Sequence, residues 1–246
     1  MICIAHRGAS GIAPENTSLS VWTAIESNAD MIEIDIQITK DNELVLFHDK
    51  ELARITTGKG GIIDYTIKQL KRKDIGKWKD KSFAKMRITT FEELLMEIPS
   101  KTSLVVEVKP QPKQNIEERV LERKIIDLLD SYNGIGNGYI SVRDIPTYSW
   151  FIENTSKYTI GLMQKKRTPS EMLELVKLHK IKVSQIRWRN YGAIDYKKLK
   201  QTGSKIMAFY GDIPDDWDLL ILNQVDGILT NYPALLSGYL AMKGIK

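Results

Sequence analysis

Short apolar runs alternate with amphipathic stretches along most of the chain. Ile2–Ala5 is an apolar run ending in a polar cluster, and Thr17–Asn28 has helical spacing, with Leu19, Val21, Trp22 and Ile25 as its predicted buried positions. Met31–Ile38 alternates at period two and Leu44–Phe47 is a further apolar run. The turn-like Lys40-Asp41-Asn42-Glu43 between them predicts a hairpin. Later the alternation becomes regular. Predicted strands fall at Ser103–Val108, Tyr139–Val142, Tyr158–Leu162, Ile181–Gln185, Lys205–Phe209 and Asp226–Leu229. Predicted helices follow them at Ile116–Leu129, Pro146–Glu153, Ser170–Leu178, Ile194–Gln201, Asp215–Asn223 and Ala234–Met242.

Strands alternating with helices make a parallel sheet, and eight such units in 246 residues fit an α/β fold of the (β/α)8, or TIM, barrel type. A doubly wound open sheet is the competitor, weakened because no Gly-x-Gly-x-x-Gly follows the first strand. Residues 49–90 break the rhythm. They are rich in Lys, Gly and Asp, contain the loop sequence Thr57-Gly58-Lys59-Gly60-Gly61 and lack a long periodic element. They read as a small insertion after the second-strand hairpin, inside one barrel domain spanning 1–246.

Composition narrows the class. With 42% hydrophobic and 27% charged residues the chain can bury a sizeable core, which excludes disorder, collagen and coiled coil. No apolar run approaches the ~18 residues that span a bilayer. The one cysteine, Cys3, excludes an intramolecular disulfide and argues against a cysteine zinc site. The opening Met1-Ile2-Cys3-Ile4-Ala5-His6-Arg7 lacks a basic stretch followed by a long apolar core, so no signal peptide is expected and a cytoplasmic location is. The net charge of +5 is unevenly spread, for residues 139–210 hold 14 Lys+Arg against 5 Asp+Glu. Such a stretch could face nucleic acid, anionic lipid or a phosphorylated small molecule, or form solvated helix faces. It contains no recognisable nucleic-acid motif, so a small-molecule partner is expected and nucleic acid is not. The sequence sets no oligomeric state.

The candidate chemistry sits where polar residues end the early strands, the end that carries the active site in a barrel. Glu33 and Asp35 are two apart, and so are Glu107 and Lys109, so each pair shares one strand face. Burying three carboxylates is costly unless something offsets it. A divalent cation bound by oxygen ligands would do so, and hard ligands suit Mg2+ or Ca2+ over zinc. Pairing of Glu33, Asp35 and Glu107 with Arg7 and Lys109 as a buried ion network is the alternative. His6 and His48 each end a strand beside these carboxylates, and imidazole titrates in the range needed for proton transfer near neutral pH. His179, in Leu178-His179-Lys180, reads as a surface or helix-cap residue without a role.

These residues occur in a recognisable order: His6-Arg7-Gly8-Ala9, Pro14-Glu15-Asn16-Thr17, Glu33-Ile34-Asp35, Thr39-Lys40-Asp41, His48-Asp49, Val106-Glu107-Val108-Lys109 and, near the end, Val225-Asp226-Gly227-Ile228-Leu229-Thr230. The set resembles the glycerophosphodiester phosphodiesterase family over nearly the whole chain. The resemblance implies a TIM barrel with an insertion after the second histidine, and a divalent metal on Glu33, Asp35 and Glu107. It implies His6 and His48 as the acid–base pair, and Arg7 and Lys109 on the phosphate; within the pair we take His48 as base and His6 as acid. Products would be glycerol phosphate and an alcohol. Glu15 could support the site, or the segment could simply enter a helix through Asn16 or Thr17 as N-cap.

The second half departs from the family pattern. Ile140-Ser141 continues as Val142-Arg143-Asp144 instead of Phe-Asp, the seventh strand ends Met207-Ala208-Phe209-Tyr210-Gly211 without a tryptophan, and Thr230-Asn231 replaces Thr-Asp. Arg143, Lys165, Lys166, Arg167, Arg187 and Arg189 follow late strands. Arg143, Arg187, Arg189 and Tyr210 are therefore expected at the substrate mouth, suited to additional anionic groups. A lysophospholipase D-type enzyme, or one for a more anionic head group, would keep the same chemistry; Trp78 and Phe83 are the candidates for a lipid lip. A non-catalytic binding barrel is disfavoured by the intact histidines and carboxylates.

Overall fold

In the computed structural model, which describes residues 1–110, 117–132 and 135–246, the apolar and alternating runs become strands that close on themselves. In chain order these are β1 (Ile2–His6), β2 (Met31–Ile38), β3 (Leu44–Leu46), β4 (Leu104–Val108), β5 (Tyr139–Val142), β6 (Ile160–Met163), β7 (Val183–Arg187), β8 (Lys205–Phe209) and β9 (Gly227–Thr230). β3 is the antiparallel return of the hairpin, with Leu46 opposite Ile36. The other eight are parallel, in the ring order β1-β2-β4-β5-β6-β7-β8-β9. β1 closes the ring by pairing with both β2 and β9, with His6 beside Glu33 and Ala5 beside Thr230. The fold is a TIM barrel, as the alternation of elements requires.

Helices α1 (Ser18–Glu26), α2 (Ile67–Leu70), α3 (Phe91–Glu97), α4 (Val120–Ser131), α5 (Ile145–Asn154), α6 (Pro169–His179), α7 (Ala193–Lys200), α8 (Pro214–Leu222) and α9 (Pro233–Met242) complete the described elements. Their starts are written locally. Thr17, Thr90, Asp144 and Thr168 each accept the backbone N–H three residues on, at the heads of α1, α3, α5 and α6, contacts worth about 1 kcal/mol apiece. α3 is absent from the sequence expectation because seven residues are too few to show a period; its signal is the Thr90–Glu93 capping box. The predicted start of the next helix at Ile116 lies outside the described residues. Among the described residues no helix is long and apolar enough to cross a membrane.

Two apolar layers result. Ile4, Met31, Val105, Tyr139, Val183, Met207 and Leu229 pack together inside the barrel, while the opposite faces of the strands pack on the helices. Period two then fixes what stands above the interior layer: Glu33 and Asp35 follow Met31, Glu107 and Lys109 follow Val105, His6 follows Ile4, and Gln185 and Arg187 follow Val183. Residues 49–90 contain short 3-10 turns and α2, with Leu52, Ile55, Ile62, Leu70, Ile75 and Ile88 packed on Val45 and Phe47 in a separate cluster. Lys79 Nζ ties this segment to the loop after β1 by donating to the carbonyls of Ser10 (2.6 Å) and Gly11 (2.9 Å).

α1 corrects one expectation. Val21 is buried, but so are Ser20 and Ala24, while Leu19 and Trp22 are exposed and Ile25 is half-buried. The reason is the turn after β1. Gly8 has φ +76°, and a Cβ there would lie 2.5 Å from Ser20. Ser20 Oγ donates to the Arg7 carbonyl at 3.0 Å, and Ala9 N–H donates to the Ser20 carbonyl at 2.8 Å. Only a face of small residues allows the helix this close to the turn. Gly8→Ala is expected to cost about 2–4 kcal/mol through clash and left-handed strain, read as a lowered midpoint in equilibrium urea unfolding. An unchanged midpoint would show that the turn has slack.

Candidate active site

Glu33 and Asp35 from β2 and Glu107 from β4 converge at the carboxyl ends of their strands, all buried, each with an oxygen within 4.8 Å of the others. Three like charges in a low-dielectric floor need partners, and the surrounding loops supply them. The Arg7 backbone N–H donates to Glu33 Oε2 at 2.8 Å. The Arg7 guanidinium donates to Glu15 at 2.9 Å and lies 3.3 Å from Asp35 Oδ2. The Asn16 amide clamps Asp35, donating to Oδ2 at 2.8 Å and accepting its backbone N–H at 3.1 Å. Lys109 Nζ stands 3.2 Å from Asp35 and 3.4 Å from Glu107, and Arg143 Nε donates to Glu107 at 2.7 Å.

The compensation is unequal. Burial and the neighbouring charges of Asp35 and Glu107 push the Glu33 pKa well above the usual carboxylate range. Burial acts on Asp35 in the same sense, but Lys109 and Arg7 outweigh it and hold that carboxyl well below its ordinary value. Asp35 Oδ1 is buried without a hydrogen bond, although Lys109 Nζ is within ion-pair distance. A compact, all-oxygen donor set with an unsatisfied buried oxygen fits a divalent cation, so these three residues could hold one. The ion pairs of the alternative reading are present too.

The histidines are held by different partners. Asn231 sends its amide N–H to Asp212 at 2.6 Å and its backbone N–H to the same carboxylate at 2.8 Å. Its Oδ1 therefore faces His6, so His6 Nδ1–H is the donor in the 2.8 Å contact and Nε2 is left available. Burial, and then the charge of Arg7, lowers the His6 pKa to about 4. The ring stacks on Tyr210, centroids 5.2 Å apart. His48 Nδ1–H donates to Asp49 Oδ1 at 2.7 Å, and Arg54 binds both Asp49 and Glu15. Burial raises the Asp49 pKa, but the hydrogen bonds from His48 and Arg54 prevail and bring it to about 2.

A cleft of about 550 Å³ lies over these groups, within the usual range for a small-molecule site. His6, Arg7, His48, Glu107, Arg143, Lys165, Lys166, Arg187 and Tyr210 all line it. Lys109 is not among the lining residues, and it stands within ion-pair distance of Asp35 and Glu107. Arg143 reaches the wall with its guanidinium on Glu107. Arg189 is not brought to the cleft: it donates to Asp216 at 2.7 Å and stacks over Trp188 at 4.4 Å. Trp78 and Phe83 are not on the wall either; Trp78 is exposed, flanked by Arg54 and Lys79. His179 is the last residue of α6, edge-on to Tyr148. Sequence reasoning gave no role to Asp49, Arg54 or Asp212, and saw Asn16 and Asn231 only as a possible helix cap and a departure. The backbone marks Asn16 and Arg7, whose φ values of 55° and 56° are rare for residues other than glycine.

The model of the Glycerophosphoryl diester phosphodiesterase family matches residues 6–235. A glycerophosphodiester phosphodiesterase of Caldanaerobacter subterraneus subsp. tengcongensis is 32% identical over 243 residues, 96% of either chain. A putative glycerophosphodiester phosphodiesterase of Bacillus subtilis is 46% identical over 121 residues, about half of either chain. Among solved structures, an Oleispira antarctica phosphodiesterase in complex with the product sn-glycerol-3-phosphate superposes with a TM-score of 0.89 at 24% identity, covering 98% of this chain and 97% of the other.

The His6 environment can be read by titration. In metal-free protein, nitrogen-detected NMR should find His6 neutral at pH 6, with its midpoint near pH 4. A His6 midpoint at or above 6.5 would contradict the described environment.

Proposed function

Because the chain belongs to the glycerophosphoryl diester phosphodiesterase family, we propose that it hydrolyses glycerophosphodiesters to glycerol phosphate and an alcohol. The observation that carries this reading is that two imidazoles, each with Nδ1 engaged and Nε2 available, line one cleft with a buried carboxylate cluster beside them. Glu33, Asp35 and Glu107 would hold the divalent cation, Mg2+ or Ca2+. When bound, that ion supplies polarisation of a phosphoryl oxygen and stabilises the charge that develops there.

The chain's own residues do the rest. Arg7, on the cleft wall and backed by Glu15, meets the phosphate charge; Lys109 keeps Asp35 ionised. The hydrogen-bond partners favour the reverse of the acid–base order expected above. His6 is paired with a neutral amide, its pKa is lowered, and its Nε2 has a free lone pair, which suits removal of the proton from the attacking hydroxyl. His48, held through Nδ1 by the Asp49 carboxylate, is then left to deliver a proton to the departing alcohol. The attacking hydroxyl belongs to water or to the adjacent carbon of the glycerol.

Three results are expected. Release of glycerol phosphate from glycerophosphodiesters should stop in excess chelator and return with Mg2+ or Ca2+; full turnover in chelator would sink the metal assignment. His6→Ala and His48→Ala should each lower kcat/KM by about 100-fold or more with the thermal midpoint retained, and near-normal turnover by a folded variant would make that histidine structural. Cation binding should release protons, because burial and its neighbours push the Glu33 pKa well above the carboxylate range and a ligand carboxylate must be deprotonated. Calorimetry in buffers of different ionisation enthalpy reads this directly, and a binding enthalpy independent of buffer would refute it.

A further inference from the structure

The ring order sets β6 and β7 opposite β1 and β2. The cleft wall facing His6 and the carboxylates is therefore built from the loop after β6 and the end of β7. Lys165, Lys166 and Arg187 line it. All three are exposed, and their side chains form no hydrogen bond or ion pair with any described residue. The neighbouring cations differ: Arg143 is neutralised by Glu107 and Arg189 by Asp216.

This wall is held in place. Gln164, buried at the root of the loop, donates from its amide to the Arg167 carbonyl and accepts the Arg187 backbone N–H, both at 2.7 Å. Its own N–H donates to the Gln185 carbonyl at 2.8 Å. Arg167 turns inward and donates to the carbonyls of Arg143 and Met163, each at 3.1 Å. The bracing sustains a left-handed backbone at Lys165, φ 56°, a conformation that persists for a non-glycine residue only when its surroundings impose it. The buried Gln164 and the half-buried Arg167 thus fix the backbone that presents three unpaired cations.

From this juxtaposition we infer that the wall formed by Lys165, Lys166 and Arg187 binds a second anionic group, a phosphate monoester on the alcohol half of the diester. The preferred substrate class is then a glycerophosphodiester whose leaving alcohol is itself phosphorylated. The inference rests on the phosphodiesterase reading and names the substrate class within it. A phosphate monoester presents three acceptor oxygens and nearly two charges at neutral pH, which matches three cations on one cleft wall better than a single carboxylate does. With the scissile phosphate by Arg7 and His6, the second phosphate lies across the mouth.

The test uses a matched pair, glycerophosphoglycerol and the same diester with a phosphate on its terminal hydroxyl, each followed by disappearance of the diester in the metal-loaded enzyme. KM for the phosphorylated diester is expected to be about tenfold lower, the low end for charge-assisted contacts because these side chains are exposed. The ratio of the two KM values should fall towards one in K165Q/K166Q and in R187Q, persist in R187K, and shrink between low and high salt. Equal KM values in the unaltered enzyme, or a ratio untouched by the glutamine variants, would overturn the second phosphate site and leave the phosphodiesterase reading standing. No turnover of either diester by folded, metal-loaded protein would overturn the phosphodiesterase reading and the substrate class with it.

Discussion

Mutual repulsion among Glu33, Asp35 and Glu107 is the constraint to which the rest of the mouth answers. A buried carboxylate without a partner costs several kcal/mol, and here three share one floor. Arg7, Asn16, Lys109 and Arg143 are each drawn to it by hydrogen bonds or ion pairs. Even the backbone yields. Left-handed conformations at Arg7 and Asn16 cost of order 1–3 kcal/mol each, and at Arg7 that turn delivers a main-chain donor to Glu33. The compensation stays unequal, with the Glu33 pKa raised by burial and by its neighbours while Lys109 and Arg7 hold that of Asp35 down.

A second consequence of the same floor is that the two histidines, similar in sequence context, are made dissimilar by what holds them. An amide neither adds nor withdraws a full charge, so the His6 environment is dominated by burial and by Arg7. The Asp49 pKa is lowered, against its burial, by the hydrogen bonds from His48 and then Arg54, and Arg54 also reaches Glu15, which supports Arg7. His48, Asp49, Arg54, Glu15 and Arg7 are thus one connected network, and residues 49–90 contribute to it through Arg54.

How much of this was legible in the sequence follows from the range of the forces involved. Strand periodicity is rigid, so placing Glu33 with Asp35 and Glu107 with Lys109 on inward faces required only counting, and the barrel followed from the alternation of elements. Arg189 illustrates where counting stops. Arg187 still belongs to β7, but Trp188–Asn190 forms a 3-10 turn, period two lapses, and Arg189 swings to Asp216. Leu19 and Trp22 had the right spacing for burial, yet the close approach of Gly8 turned a face of smaller residues inward. The His6–Asn231 contact was out of reach because 225 positions separate the partners and Asn231 stood out only as a replacement.

That separation also bears on how the molecule is made. β1 pairs with β9, residue 2 with residue 227 onwards, and no other strand can take its place beside Thr230. A chain emerging from the ribosome presents β1 first, then synthesises the remaining strands while one edge of its first strand stays unpaired. Ring closure over such a span is among the entropically costlier contacts and comes late. Every carboxylate, both histidines and the three unpaired cations are already translated when residues 227–231 are still missing, yet His6 has no Asn231 to fix its ring. Barrel closure and the orienting of His6 are thus the same event, so a product truncated before β9 would contain both histidines and all three carboxylates without the contact that fixes His6.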